Sequence, residues 1–342
     1  DKAWDRQLGG FGRPPKFPQA MTIGLLLDHH ARTGHAGALE AATHSLRAMA
    51  RGGIRDQVGG GFARYSTDAR WLVPHFEKML YDNGLLLDVY ARAAALTGDV
   101  ELERVARSTA DYLIREMQHE AGGFFSATDA DSEGVEGKFF VWSDEEFREV
   151  CGIADVDPDR YAAFHDVRPE GNFRAEAAGH APERANILHE PVDRATFAEQ
   201  HGITREVLEA ELRRLHVALY DRRSDRVPPG LDDKVLTSWN ALAIRGLART
   251  ALHLGESRYA DAAARAAGFL RDHAVVDGRL HHTWKDGVAT VPAFLEDVAG
   301  LAAALPWLGA ATGDPSWTSW AIELADDAVA RFADPAGGYF QT

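Results

Sequence analysis

The stretch YDNGLLLDVYARAAALTGDVELERVARSTADYLIREMQHEAGGFFS (residues 81–126) is written in a grammar that the chain uses four times. Its first half is strongly apolar, with Leu85, Val89 and Leu96 at helical spacing. The loop LTGD (96–99) then punctuates the chain. A second, amphipathic helix follows and runs into the glycine-aromatic segment GGFFS (122–126). The loops RTGH (32–35), HLGES (253–257) and ATGD (311–314) sit in the same place in three further units. Those units close on GGGFARY (59–65), DGRLHHTW (277–284) and GGYFQT (337–342). From loop glycine to end glycine the separations are 26 (Gly34 to Gly60), 25 (Gly98 to Gly123), 23 (Gly255 to Gly278) and 25 (Gly313 to Gly338). A near-constant period marks repeated supersecondary units, here helical hairpins.

The middle of the chain is less regular. GKFFVW (137–142) reads as a short strand, and SDEEFREV (143–150) as a capped helix start with Ser143 and Glu146 in a capping box. TREVLEAELRRLHVALYDRR (204–223) predicts a long amphipathic helix, with a loop-rich segment (165–191) ahead of it. Counting this stretch as a decorated hairpin gives five. The expectation is one all-α domain over 1–342, an (α/α)6 toroid with a loop-rich insertion at about 126–203 and a sixth hairpin missing after the last motif. An open α-solenoid is the alternative.

Bulk composition narrows the function. The 342 residues carry a net charge of −15, which disfavours a general nucleic-acid or anionic-membrane binder. No apolar run is long enough for a membrane span, and DKAWDRQLGG (1–10) has no signal-peptide core. A single cysteine, Cys151, excludes an internal disulfide and a CxxC centre. A cytoplasmic protein is expected. No GxSxG, Walker A or GxGxxG element appears in a strand–turn–helix setting.

In an alternating ring, equivalent helix starts share one rim. Sixteen residues before Gly98, Gly255 and Gly313 stand Asp82, Trp239 and Asp297, with Asn240 and Glu296 alongside. The same offset from Gly34 gives Pro18, beside Lys16. The joining loops add Tyr65, Trp71, His75, Glu77, Asp129, Asp131, Asp232 and Asp233. The plain reading of Pro74, His75 and Glu77 is helix-start chemistry, with Lys78 and Asp82 as an i,i+4 ion pair. The functional reading gathers these groups into one mouth.

Long motifs carry a family resemblance: GGFGRPPKFP (9–18), GGIRDQVGGGFARYSTDARWLVPHFEKMLYDN (52–83), GGFFSATDADSEGVEGKFFVW (122–142), GNFRAEAAGHAPERANILH (171–189), LDDKVLTSWNALAI (231–244) and AFLEDVAGL (293–301). In these the chain closely resembles the spermatogenesis-associated protein 20-like family of thioredoxin-domain-containing proteins. The resemblance implies a six-hairpin toroid, related in shape to N-acylglucosamine 2-epimerases and six-hairpin glycosidases. It also implies a thioredoxin-like domain as partner in the full-length protein, expected to be absent from this chain. Gln57 stands where the family commonly has a histidine.

The expected function is carbohydrate-active, glycosidase-like or epimerase-like, on a small-molecule, sugar-type ligand. The alternative is a non-catalytic ligand-binding or interaction module. His75, Glu77, Asp82, Asp233 and Asp297 are the catalytic candidates, as acids, bases and orienting carboxylates. Lys16, Tyr65, Trp71, Asp129, Asp131, Asp232, Trp239, Asn240 and Glu296 are the candidate ligand contacts. An epimerase needs two opposed proton-transfer groups, and His180, His189, His281 and His282 lack motif support beside His75. Asp129, Asp131, Glu133 and Gly134 mimic half a calcium loop, but its twelfth position is Phe140, where a bidentate glutamate is required. No metal and no cofactor is therefore expected.

Overall fold

A computed structural model describes residues 3–174, 182 and 184–342; His180 and parts of the 171–189 motif lie outside the described residues. Twelve α-helices form among the described residues: α1 (Ala20–Thr33), α2 (Ala36–Arg51), α3 (Leu80–Thr97), α4 (Val100–Tyr112), α5 (Asp144–Ile153), α6 (Pro158–His165), α7 (Arg194–Gln200), α8 (Arg205–Ser224), α9 (Thr237–Leu254), α10 (Ser257–His273), α11 (Leu295–Thr312) and α12 (Ser316–Phe332). Contacts cluster into two units that interleave along the sequence. One comprises Asp1–Gln19, Asp28–Lys78 and Thr128–Gly230; the other comprises Ala20–Leu27, Met79–Ala127 and Leu231–Thr342.

The second of these is the hairpin unit. α3 with α4, α9 with α10 and α11 with α12 are its three hairpins, and α9 packs against both α3 and α11. The first helix of each is 18 residues long and ends on a glycine: Gly98, Gly255 and Gly313, at φ 67°, 69° and 72°. Each of these glycines donates its N–H to the carbonyl four residues back, the left-handed helix cap that a side chain would strain. This backbone requirement is what the repeat in the sequence records. α3 is buried nearly all round, with Leu86, Leu87, Val89, Tyr90 and Ala91 consecutive or adjacent in the core. Such a helix is stable only when enclosed by others. α3 and α9 meet backbone to backbone: a Cβ on Gly84 would lie 2.9 Å from Ala243 N, and one on Gly246 2.6 Å from Gly84 O.

The other unit is built on short helices and long connections. Trp142, Phe147, Tyr161, Phe164, Leu208, Leu212, Leu215 and Leu219 form the core shared by α5, α6 and α8. Thr204 caps α8, its hydroxyl accepting from Val207 N at 3.3 Å. Ser143 caps α5 as expected, but Glu146 binds Arg226 at 2.8 Å instead of returning to close a capping box. The 137–142 segment is a turn rather than a strand. Phe140 N and Val141 N both donate to Gly137 O, and only Trp142 bridges to Asn186.

A buried ionic cluster fastens the loop after α2 to α8. Asp56 accepts from Lys78 and from Arg223, both at 2.9 Å, and none of the three side chains is more than 6% exposed. Burial alone would raise the Asp56 carboxyl, but the charges of Arg223 and Lys78 overcome it and hold the group well below the usual carboxylate range. Gln57 ties the same loop to α2, donating to Ala50 O and Gly52 O at 3.1 and 2.9 Å.

Candidate functional site

The segment 74–79 is extended, and α3 begins only at Leu80. Helix-start chemistry therefore does not explain Pro74, His75 and Glu77. Pro74 and His75 pair antiparallel with Ser66 and Tyr65. Side chains alternate along an extended chain. Pro74, Phe76 and Lys78 accordingly turn inward, while His75 and Glu77 remain half-buried. Lys78 donates to Asp56 at 2.9 Å.

This alternation puts His75 at the centre of a cluster. Its Nδ1 lies 2.8 Å from Glu136 Oε1, and its Nε2 3.7 Å from Glu77 Oε2. Glu136 is presented by a tight turn in which Asp131–Ser132 pairs with Val135–Glu136. Tyr65, directly opposite on the paired strand, stacks on the imidazole with ring centroids 5.0 Å apart and planes 19° apart. Phe17, 44% exposed, packs against Tyr65 with ring centroids 5.0 Å apart. Arg64 pairs with Glu77 at 3.2 Å. With Nδ1–H donated to Glu136, a neutral imidazole keeps its lone pair on Nε2. The ring fills the space between Glu136 and Glu77, so this carboxylate pair cannot flank a scissile bond.

The hairpin unit holds a second histidine–carboxylate pair. His282 Nδ1 lies 3.0 and 2.9 Å from the two oxygens of Asp297. Asp297 is wholly buried and also accepts from Phe294 N and Ser238 N, each at 2.9 Å. It is a positioning group with its hydrogen-bonding capacity filled. Asp233 pairs with Lys285 at 2.7 Å, and that hydrogen bond lowers its carboxyl below the usual value. Asp232 pairs with Lys234 at 2.6 Å.

Several candidates have structural duties. Trp71 is buried at φ 66° and donates Nε1–H to Leu8 O at 3.1 Å, so it offers no face for stacking. Lys16 is buried and bound to Asp5 and to Gly9 O, at 2.7 and 2.9 Å. Asn240, also buried, joins α9 to Phe124 by accepting from its N–H at 2.7 Å and donating to its carbonyl at 2.9 Å. Trp239 remains half-buried, edge-on to Tyr81 at 4.8 Å. Asp82 is partly exposed in the first turn of α3, and Asp129, Asp131 and Glu296 are exposed. Glu133, the half-calcium-loop residue, pairs with Lys138 at 2.6 Å. Cys151 is buried, and burial pushes its thiol up to about 12, which removes it as a nucleophile.

Glu136 is not among the candidates from sequence, and His282 enters there only as a histidine without motif support. Glu136 is 61 residues from His75, and only the turn around Gly134 hints at its placement. His282 belongs to a strand, 279–285, whose pairing with 288–292 turns it toward the start of α11.

No family profile matches the chain. Human spermatogenesis-associated protein 20 is 34% identical over 374 residues, spanning 99% of this chain and 47% of the human protein. The chain is a homologue of spermatogenesis-associated protein 20. It spans about half the length of the curated relatives it matches, so what whole members of the spermatogenesis-associated protein 20 family do is a separate question. Among solved structures, a GH76 α-mannanase of Bacteroides thetaiotaomicron aligns with 95% of this chain and 61% of its own, at TM-score 0.53 and 10% identity. An unsaturated glucuronyl hydrolase specific for heparin aligns at TM-score 0.52 and 10% identity, over 91% of this chain and 62% of its own. At such identities the likeness is one of fold, and the fold class is the all-α (α/α)6 toroid. No helix among the described residues is long and apolar enough to cross a membrane.

Proposed function

We propose that the chain is a carbohydrate-active enzyme of the proton-transfer kind, epimerase-like or isomerase-like, with His75 as its acid–base group. The observation that carries the reading is the His75–Glu136 hydrogen bond of 2.8 Å in a cluster that solvent reaches. A carboxylate on Nδ1 fixes the tautomer and leaves Nε2 to take or give a proton. Glu77, itself paired with Arg64, lies on the Nε2 side at 3.7 Å. Tyr65 holds the ring plane, and Phe17 adds an exposed apolar surface on which the C–H face of a sugar can rest. Within the hairpin unit, His282–Asp297 is a second pair of the same chemistry.

A hydrolytic reading has support in the fold shared with glycosidases. It is weaker at this cluster because His75 occupies the gap between its two carboxylates. The remaining reading is a ligand-binding module that serves a thioredoxin-like domain.

Thermal shift with aldoses, ketoses and short oligosaccharides finds the ligand class, and turnover of any stabilising sugar follows. His75→Gln is expected to lose about 10²–10⁴-fold in turnover with its melting temperature kept. Stabilisation by a sugar with no turnover in the wild type would replace the catalytic reading with the binding module. Unchanged turnover in His75→Gln would remove His75 from the chemistry.

A further inference from the structure

A cavity of about 530 Å³ opens in the unit that contains α2, lined by Arg51, Arg70, Arg168, His44, His189 and Glu190 among others. In a chain of net charge −15 its charge balance runs the other way. Asp166 is committed to Arg168, with bonds of 2.8 and 3.1 Å. Glu190 is committed to the buried Arg194 at 2.8 Å. These pairs cancel. Arg51 and Arg70 are left: among the described residues neither has a carboxylate within ion-pair distance. The Arg51 Nε–H reaches only the carbonyl of Arg47, at 3.4 Å. His189 lies between, its Nε2 3.6 Å from Asp166 Oδ2, and Arg70 and Arg168 both act on it electrostatically. His44 adds a buried Nδ1 with no hydrogen-bond partner.

Arg51, whose charge also acts on the Asp193 carboxylate, and Arg70 both line one polar cavity with no carboxylate in ion-pair range, which matches an oxyanion better than a neutral ligand. Guanidinium donates in parallel pairs to phosphate oxygens and does so without changing its own charge. The volume exceeds what one inorganic anion needs and suits a small organic molecule. We propose that this cavity binds a small phosphomonoester, with Arg51 and Arg70 as its phosphate ligands. The site is independent of the His75 cluster, and so is its test.

Inorganic phosphate is titrated into the full chain by calorimetry, against sodium chloride at equal ionic strength. Saturable binding is expected, weakened about tenfold or more by Arg51→Met or Arg70→Met and abolished by the double variant. Arg222→Met, which removes a surface partner of Glu149, serves as a control and leaves binding unchanged. Absence of saturable binding beyond the chloride control overturns the proposal, as does unaltered binding in the double variant. Should a variant fail to fold, the wild type decides: phosphate is expected to protect Arg51 and Arg70 from phenylglyoxal, read by mass spectrometry. Equal modification with and without phosphate contradicts the site.

Discussion

The two histidine–carboxylate pairs have nearly the same separation, 2.8 and 2.9 Å, and differ in what surrounds the acid. Asp297 is wholly buried, receives two backbone N–H groups besides His282, and is built into the first turn of α11. Glu136 is partly exposed on a turn and holds His75 through one oxygen. The first carboxylate is a fixture of the fold and the second is a partner that water can reach. A buried acid orients its histidine rigidly. A solvated one leaves room for a substrate and for a change in charge.

Stability measurements break or sharpen this contrast. Asp297→Ala strands two buried backbone donors and the His282 ring, and is expected to cost about 3–5 kcal/mol in denaturant unfolding. Glu136→Ala is expected to cost about 0–1 kcal/mol by the same measurement. Equal losses would erase the difference between the pairs.

Acid provides the next largest effect, and it acts on the unit that holds His75. His165 is fully buried, with its Nε2 3.2 Å from His216 Nε2, and burial pulls its pKa down from 6.5 to about 3. The unfolded chain therefore binds more protons than the folded one between those values. Stability is full above pH 6.5 and is lost progressively as pH falls toward about 3. His165→Phe is expected to flatten this dependence in unfolding titrations from pH 7 to about 4. An unchanged slope would mean that His165 is not the group responsible.

Smaller effects test the exposed pair itself. Tyr65→Ala removes the ring stacked on His75 and is expected to cost about 0.5–1.5 kcal/mol beyond its lost contact area. Its larger signature would be a fall in sugar turnover greater than that of Tyr65→Phe. Asp233→Asn, which cuts an exposed pair with Lys285, is expected to leave the melting temperature unmoved. A clear shift there would show that the surface charges of the hairpin unit matter more than their exposure suggests.

What the sequence made legible follows from the same physics. The sixteen-residue offset from Gly98, Gly255 and Gly313 places Asp82, Trp239 and Asp297 at the third residue of α3, α9 and α11, while from Gly34 it falls on Pro18, ahead of α1. It works because those helices have one length and one type of cap, and both leave local marks. The extended run at 74–79 left a mark too. Over 74–78 the buried positions, Pro74, Phe76 and Lys78, alternate at the period of a strand, yet a proline before an apolar helix imitates a helix start. Lys16 and Trp71 looked functional because polar and aromatic residues in loops invite that reading. Their burial depends on Asp5, Gly9 and Leu8, which no local pattern links to them. Glu136 and His282 were hidden for the same reason: each meets its partner through a turn or strand pairing set by the tertiary fold.

The central claim is that His75, held by Glu136, moves protons on a sugar. Nuclear magnetic resonance of sugars incubated with the protein in deuterium oxide tests it most directly. The account predicts deuterium at a carbon next to the carbonyl with the wild type, and a loss of about 10²–10⁴-fold with His75→Gln. Deuterium incorporated equally by His75→Gln, or by neither protein with any sugar, would contradict it.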